Sequence, residues 1–366
     1  MRICIVTQPL GANYGGILQA FALQKVLKDM GHQVTTLRFS PKTDWVPSGI
    51  KKKILTIRRF ISKYLKGNKS IAYCNPDKQT EYAYKELNRF LDERMDCLNV
   101  TAPLSDDKLP SFDAYIVGSD QVWRPAYSPC LPNFYLDFLT DASVKRIAYA
   151  ASFGVNTWEA DQQMTDIIRP LAQRFDAISV RETSGIDLCN KYLGVKAELM
   201  PDPTLLLSRA DYQDLCEPEP RQRQPYIAAY ILDKGDREQH YLDSLSKATG
   251  LPVKMIGQLE WATSTDSIEH WLGELSRAEY VVTNSFHGTV FSILFERSFY
   301  TIPNSARGTS RFETLLEALG LQDRLLGERT REEPVLTLKP IDYKNVNKAV
   351  DMLRQQGLSY LRNQLQ

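Results

Sequence analysis

The residue best suited to proton transfer is His287, in the stretch "YVVTNSFHGTVFSILF". A β-branched run ends just before it and an apolar helical pattern begins just after it, which places His287 where a strand passes into a helix. An imidazole both donates and accepts protons near neutral pH, so His287 is a candidate general acid or base. The alternative is a histidine that only caps the helix.

Arginines in other loops offer binding sites for an anion. Arg181 follows a predicted strand in "ISVRET", and a guanidinium group binds a carboxylate or phosphate through two parallel hydrogen bonds. Arg307 and Arg311 lie in "NSARGTSR", a loop that enters a predicted helix, where backbone N–H groups add to their charge. For Arg181, an internal ion pair with Glu182 or Asp202 explains the residue equally well.

The loop "IVGSDQVWRP" carries groups that suit a sugar. The Asp120 carboxylate accepts hydrogen bonds from hydroxyls and the Trp123 ring offers a stacking face, with Ser119 and Gln121 beside them. Ser152 ends the next predicted strand and joins this candidate acceptor set. The alternative is the capped start of a helix with a buried tryptophan.

The first loop, "QPLGANYGGILQ", departs from the GxGxxG dinucleotide fingerprint in its glycine spacing. The second predicted strand also ends in Arg38, where a ribose would need an acidic residue, so we exclude NAD. The loop still suits an oxygen-rich ligand at a helix N-terminus. Its candidate acceptor-binding residues are Asn13, Gly15, Gly16 and Gln19. A turn with a helix cap is the alternative.

Alternating strands and helices must position these loops. The first half predicts strands at 2–8, 33–39, 112–119, 145–152, 176–182 and 197–202, with helices at 15–31, 77–95, 159–174 and 183–192. The second half predicts strands at 226–232, 252–257, 280–284 and 299–304, with helices at 236–249, 266–276 and 288–297. Such alternation indicates an α/β fold with two Rossmann-like, doubly wound domains around a cleft, whose ligands lie at the carboxyl ends of the strands.

We therefore expect three parts in the chain. Residues 1–207 form the first domain and residues 208–340 the second. The polar stretch 208–225 is the predicted linker, because it is rich in proline and charge. Residues 341–366 form a helix that packs back on the domains.

Composition excludes several other classes. The chain has 366 residues and a net charge of +1, so no global field favours nucleic acid. Six scattered cysteines and four separated histidines predict neither a disulfide framework nor a metal site. The N-terminal apolar run is too short for a signal peptide, and no stretch is long enough to span a membrane. We expect a cytoplasmic protein.

The segment 51–69, "KKKILTIRRFISKYLKGNK", is basic and amphipathic, and no acidic residue occurs between Val46 and Pro76. Its apolar residues share one helical face, with lysines and arginines opposite. Such a helix can lie on an anionic membrane surface. The alternative is an ordinary solvated helix packed on the sheet.

Seven stretches in order give the chain a resemblance to the polysaccharide pyruvyl transferase family. They are "TQPLGANYGGILQAFALQKVL", "FDAYIVGSDQVW", "KRIAYAASFG", "ISVRETSG", "MPDPTLLL", "VVTNSFHGTVFSILF" and "SRFETLLEALGL". The resemblance implies a fold similar to B-type glycosyltransferases. It also implies transfer of the enolpyruvyl unit of phosphoenolpyruvate onto two hydroxyls of a sugar, which gives a cyclic ketal and phosphate.

The resemblance also assigns roles. His287 matches the family's donor-site histidine and is the expected acid, and Asp120 is a candidate for orienting or deprotonating the acceptor. Arg181 matches a family arginine, whereas Ser285 stands where many members have arginine. Arg307 or Arg311 is the expected replacement for that cation, and Asn284 and Gly288 complete the donor-binding set.

Phosphoenolpyruvate would act as a co-substrate, with no cofactor. If the basic segment binds a membrane, the acceptor is a lipid-linked sugar in capsule or exopolysaccharide assembly. Two other functions remain open at this point, a B-type glycosyltransferase that uses a nucleotide sugar and a non-catalytic sugar- or anion-binding homologue.

Overall fold

The computed structural model describes residues 1–11, 13–39, 84–128, 130–219, 224–257, 266–304, 308–327 and 338–366. These residues form a seven-stranded and a four-stranded sheet, and every strand pair within them is parallel. The predicted α/β class with two Rossmann-like sheets is confirmed.

The first sheet is built from β1 (Arg2–Val6), β2 (Gln33–Phe39), β3 (Cys97–Val100), β4 (Ala114–Val117), β5 (Lys145–Ala151), β6 (Ala177–Val180) and β7 (Glu198–Leu199). Its strand order is β3-β2-β1-β4-β5-β6-β7. The central strands are apolar and buried, as a parallel sheet covered on both faces requires. The strand order reverses between β1 and β4, which is where a doubly wound sheet opens its ligand crevice.

The helices of this half are α1 (Tyr14–Asp29), α2 (Lys85–Arg94), α3 (Gln162–Ala172), α4 (Thr183–Leu188) and α5 (Arg209–Gln213). Two features differ from the sequence prediction. Strand β3 was not predicted, because the strand has only four residues and these are at most partly buried. The stretch predicted as a linker begins with α5, since Ser208 and Asp211 form a reciprocal capping box there.

The second sheet contains β8 (Ile227–Tyr230), β9 (Val253–Met255), β10 (Tyr280–Thr283) and β11 (Ser298–Thr301). Its order is β11-β10-β8-β9. The accompanying helices are α6 (Asp236–Thr249), α7 (Ile268–Arg277), α8 (Phe286–Leu294) and α9 (Ser310–Ala318). Helix α8 starts directly after β10 and is buried along its whole length.

Several contacts join the halves, among them an aromatic stack and the packing of the last helix. Tyr14 of α1 stacks on Trp271 of α7, with ring centroids 5.1 Å apart. The last helix, α10 (Tyr343–Gln364), crosses from one half to the other, because the Tyr343 hydroxyl donates to the Arg297 carbonyl while Gly357 packs against Tyr149 of β5. The two sheets therefore share one buried core.

In the described residues, no helix combines the length and the apolar character that crossing a membrane would require.

Candidate active site

His287 lies at the seam between the two halves, in the first turn of α8. Its side chain is 6% exposed, and Nε2 lies 3.5 Å from Oδ2 of Asp202, which follows β7 of the first sheet. The other ring nitrogen, Nδ1, faces the first turn of α1, because a Cβ built on Gly15 would lie 2.0 Å from it. Groups from both halves of the chain therefore enclose the imidazole.

Asp202 is buried, and both of its oxygens are used. Oδ1 accepts from the Thr204 N–H at 3.0 Å and from the Thr204 hydroxyl at 2.7 Å. Oδ2 accepts from Nη1 of Arg181 and, at 3.4 Å, from the hydroxyl of Ser119. Burial alone raises the pKa of this carboxyl, but His287, Arg181 and the hydrogen bonds outweigh it and hold the pKa well below its ordinary range. Asp202 is therefore an anion at neutral pH.

Arg181 makes the internal ion pair that the sequence left open, with Asp202 rather than with Glu182. Its Nη2 also lies 3.2 Å from Oδ1 of Asp120. Two buried carboxylates thus hold one buried guanidinium group, an arrangement in which the removal of any member leaves an uncompensated charge. In the part of the chain that the structure describes, Nε of Arg181 has no hydrogen-bond partner.

A second buried cation, Arg311 at the start of α9, lies close to the first. The Arg311 guanidinium carbon is 5.6 Å from the centroid of the Phe286 ring, and that of Arg181 is 4.7 Å from the same centroid. Burial and the charge of Arg181 lower the pKa of Arg311 to about 10, so it stays protonated at neutral pH. The Phe286 ring holds the two guanidinium groups near each other by cation–π contact.

Asp120 lies in the crevice where the order of the first sheet reverses. Its φ of 68° is left-handed, a region that aspartate tolerates better than most residues. Oδ2 is 3.5 Å from the Asn13 amide nitrogen, across the crevice between β1 and β4. Burial raises the pKa of the Asp120 carboxyl, but Arg181, His287 and Arg311 outweigh it and lower the pKa. Asp120 is the second anion of the site.

A cavity of about 60 Å³ adjoins the two arginines. Arg181, Arg311 and Asp202 contribute charged groups to its lining, and Phe286 and apolar side chains of α9 and α10 contribute apolar surface. A small anion with an apolar part suits such a lining.

The other predicted donor-binding residues lie beside His287 but are occupied by local contacts. Asn284 accepts from the Leu232 N–H at 2.7 Å and donates to the Asp233 carbonyl at 2.9 Å. Ser285 is the N-cap of α8, and its hydroxyl accepts from the Gly288 N–H at 3.3 Å. A Cβ on Gly288 would lie 2.4 Å from Oγ1 of Thr283, so packing explains this glycine. These residues shape the loop that carries His287.

Several of the predicted acceptor-binding residues are buried and make internal contacts. Gln19 donates to Thr7 and accepts from the Ser119 N–H, and it thereby fixes the loop before Asp120. Trp123 lies in the core, where its ring stacks on Tyr135 and its N–H donates to the Phe134 carbonyl. Ser152 donates to Glu182 at 3.0 Å.

The remaining predicted acceptor residues also make local contacts. Ser119 is buried, and its hydroxyl donates to the Ala150 carbonyl at 2.8 Å. The side-chain oxygen of Gln121 accepts from Arg124 at 3.3 Å. Gly15 and Gly16 start α1, and a Cβ on Gly16 would lie 2.9 Å from the Asn13 amide nitrogen. Among the predicted acceptor residues, Asn13 is the side chain that reaches Asp120.

The sequence analysis assigned no functional role to three residues of the site, Asp202, Phe286 and Glu182. Asp202 was considered only as a partner of Arg181, although an acid directly after the strand in "MPDP" was the available signal. Phe286 looked like an apolar helix residue. One oxygen of Glu182 accepts from Ser152, from Phe153 N–H at 2.7 Å and from Gly154 N–H at 3.2 Å, which fixes the loop after β5.

Two predicted features lie outside the described residues. These are Arg307 and the basic segment 51–69.

One group in the described residues has the spacing of a metal site: Glu217, His270 and Glu274. Their charges are already balanced, however. Arg277 lies 3.0 Å from Glu217 and 3.1 Å from Glu274, and Lys254 lies 2.7 Å from Glu274. We interpret this cluster as an ion-pair network.

Comparison with solved structures shows what fold this arrangement belongs to. Arabidopsis thaliana UGT89C1 complexed with UDP-L-rhamnose is similar with a TM-score of 0.50 and 10% identity, over 98% of this chain and 97% of that one. Acinetobacter baumannii MurG matches with a TM-score of 0.40 and 10% identity, over 98% and 97%. UGT89C1 is a B-type glycosyltransferase, and at 10% identity its similarity to this chain concerns the fold alone.

Comparison with protein families is more specific. No curated protein matches the sequence significantly. A sequence model of the family described as polysaccharide pyruvyl transferase matches residues 13–306, a span that contains the acids Asp120 and Asp202, Arg181 and His287. With more than half of its length matched, the chain belongs to the polysaccharide pyruvyl transferase family.

Proposed function

We propose that the protein transfers the enolpyruvyl group of phosphoenolpyruvate onto two hydroxyls of a sugar, with His287 as the general acid. The observation that carries this proposal is that His287 and Arg181 share the Asp202 carboxylate at the seam of the two halves, with Arg311 close by. A proton donor and two cations at one seam are what this donor requires.

The donor's charges explain the arginines. Phosphoenolpyruvate carries a carboxylate and a phosphate, and guanidinium groups bind both with charge-assisted hydrogen bonds. Arg311 supplies the cation that is missing at Ser285, and Nε of Arg181 supplies a further donor.

The reaction then follows in three steps. His287 gives a proton to C3 of the donor, which turns the methylene into a methyl group and leaves C2 electrophilic. A sugar hydroxyl attacks C2 and loses its proton, and the C2–O bond to phosphate breaks. The second hydroxyl adds to C2 in the same way to close the ketal. Acid–base assistance of this kind contributes about 10²–10⁴-fold to the rate.

The acceptor lies on the side of the first sheet in this proposal. Asp120 orients the attacking hydroxyl or takes its proton, and Asn13 lies within 3.5 Å of the same carboxylate. The pKa of Asp120 is lowered, which keeps it an acceptor at neutral pH. Its pairing with Arg181 favours an orienting role, because a carboxylate stabilised by a cation is a weak base.

The test compares donors directly. Thermal unfolding is followed with phosphoenolpyruvate and, separately, with UDP-sugars, since a ligand at about 100 times its Kd stabilises by about 2.7 kcal/mol. We expect stabilisation by phosphoenolpyruvate and phosphate release when a suitable sugar is added. Stabilisation by UDP-sugars alone would instead favour a nucleotide-sugar glycosyltransferase. Binding of phosphoenolpyruvate without turnover on a broad panel of sugars would favour a non-catalytic homologue.

We further propose a lipid-linked acceptor, because the segment 51–69 has the sequence of a basic interfacial helix. Each basic residue near an anionic surface contributes about 1 kcal/mol. Changing Lys51, Lys52, Lys53, Arg58 and Arg59 to Gln should therefore weaken sedimentation with anionic vesicles at least about 100-fold. The control changes Lys344, Lys348 and Arg362 of α10 to Gln, which removes basic charge away from the segment. Equal binding by the first variant and the wild type would refute the membrane role.

A further inference from the structure

Asp202 lies beside only one of the two ring nitrogens of His287, and this distinguishes the roles of the two nitrogens. Nε2 lies 3.5 Å from the Asp202 carboxylate, within ion-pair distance, and in the described residues it makes no hydrogen bond. Nδ1 faces Gly15 instead. The two nitrogens of the ring therefore lie in different environments, one beside an anion and one at the start of α1.

The carboxylate cannot turn away from the histidine. Oδ1 is held by two donors of Thr204, and Oδ2 is shared with Arg181. Asp202 is also the N-cap of the 3₁₀ turn Pro203–Leu205, so its backbone is fixed as well. A carboxylate with both oxygens engaged is a rigid acceptor, and it favours a proton on the imidazole nitrogen that points at it.

We propose that Asp202 is the positioning residue of the site. It holds the Nε2–H tautomer of His287, so that Nδ1 is the nitrogen that delivers the proton. This inference rests on the proposed function for the identity of the acceptor atom, C3 of phosphoenolpyruvate. The assignment of the proton to Nε2 is independent of the proposed function.

The proton transfer balances in this scheme. The Nδ1–H bond of the imidazolium breaks and its electron pair stays on Nδ1, while the donor's C2=C3 electron pair forms the new C3–H bond. The positive charge passes from the ring to C2 of the donor. His287 is left neutral with its remaining proton on Nε2, beside Asp202. Arg181 keeps Asp202 anionic and takes no part in the transfer.

The chain contains its own control, His270. Its Nδ1, rather than its Nε2, lies 2.8 Å from Oε1 of Glu217. The same argument therefore assigns the opposite tautomer to His270. A general preference of imidazole for one tautomer cannot produce opposite results at two positions of one protein.

The direct test is a long-range ¹H–¹⁵N correlation spectrum of the full-length protein labelled with [¹⁵N]histidine. The chain has four histidines, so His287→Gln and His270→Gln variants assign the two signals. The spectrum is recorded about two units above the ordinary imidazole pKa of about 6.5, where free rings are neutral. We expect the proton on Nε2 in His287 and on Nδ1 in His270. A His287 signal with the proton on Nδ1, or with two averaged tautomers, would overturn the proposal.

An Asp202→Asn variant adds the kinetic test. We expect the variant to lose the Nε2–H tautomer of His287 and its kcat with phosphoenolpyruvate to fall about 100-fold or more, since the variant alters proton delivery. If Asp202→Asn lost kcat to this extent but kept the wild-type tautomer of His287, the positioning role would be contradicted. If this variant does not fold, the wild-type spectrum still decides the question. A correct tautomer without any turnover of phosphoenolpyruvate would overturn the proposed function and leave the assignment of the nitrogens standing.

Discussion

Gly15 and His287 fit together across the seam of the protein, because the imidazole occupies the space that a side chain at position 15 would need. A Cβ on Gly15 would lie 2.0 Å from Nδ1 and 2.1 Å from Cγ of the histidine ring. This contact joins the first turn of α1 to the first turn of α8. His287, the proposed general acid, thus takes its position between the two halves.

A Gly15→Ala substitution should therefore displace His287 without unfolding either half. We expect kcat to fall about 100-fold, the effect of a catalytic group moved by about 1 Å. The matched control is Gly11→Ala in the same loop, because nothing lies within 4 Å of a Cβ at that position. Steady-state kinetics with circular dichroism would check both variants. A fully active Gly15→Ala variant would contradict this account of the seam.

Arg311 should act on donor affinity. Replacing it with Gln removes a charge-assisted hydrogen bond, which is worth about 1.5–3 kcal/mol, so the Kd for phosphoenolpyruvate should rise about 10- to 100-fold. The control is Arg354→Gln, which removes an equal charge from α10, where the side chain donates to the Leu207 carbonyl. Calorimetric titration would measure the Kd for phosphoenolpyruvate of both variants. Unchanged donor affinity in the Arg311 variant would exclude it as the cation that replaces the one missing at Ser285.

Asp202 should stabilise the fold at neutral pH and lose this effect in acid. Its folded-state pKa lies below the unfolded value of about 3.9, so its contribution is present above that pH and declines as the pH falls through the folded-state pKa. Asp202→Asn should cost about 3–5 kcal/mol at pH 7, as for a broken buried ion pair. Urea unfolding at several pH values should show the difference shrinking below about pH 4. Asp29→Asn, which breaks an exposed pair with Lys25, should cost less than about 0.5 kcal/mol.

The stability of the fold and the position of the loop before α9 should depend on a second glycine between the two halves, Gly308. Gly308 has a φ of +82°, and a Cβ there would lie 1.7 Å from the Gly154 carbonyl oxygen of the first half. Gly320 has a φ of +66° but nothing within 4 Å, so Gly320→Ala isolates the cost of the left-handed backbone, about 1–2 kcal/mol. Gly308→Ala should cost more than that in thermal or urea unfolding. It should also weaken donor binding, because the same loop leads to Arg311.

The sequence predicted the alternation of strands and helices well because parallel strands buried on both faces need apolar runs such as "AYIV" and "YVVT". It also located His287, Asp120 and Arg181, since polar residues directly after such runs lie at one edge of a sheet. It did not predict their pairing. Whether Trp123 faces a sugar or stacks on Tyr135 depends on residues distant in the chain, which local pattern does not contain.

The role of Asp202 shows the same limit more sharply. Its neighbours Ser119, Arg181 and His287 are 83, 21 and 85 positions away, and only the folded sheet brings them together. An acid after a short strand is a weak signal by itself, whereas four converging donors are a strong one.

The central claim is that His287 protonates phosphoenolpyruvate, and the most direct measurement is phosphate release by the wild type and by His287→Gln with the same sugar acceptor. We predict that the variant still binds the donor, because Arg181 and Arg311 remain, but releases phosphate about 10²- to 10⁴-fold more slowly. Mass spectrometry of the sugar should show the ketal with the wild type. Phosphate release by the variant at the wild-type rate would contradict the account.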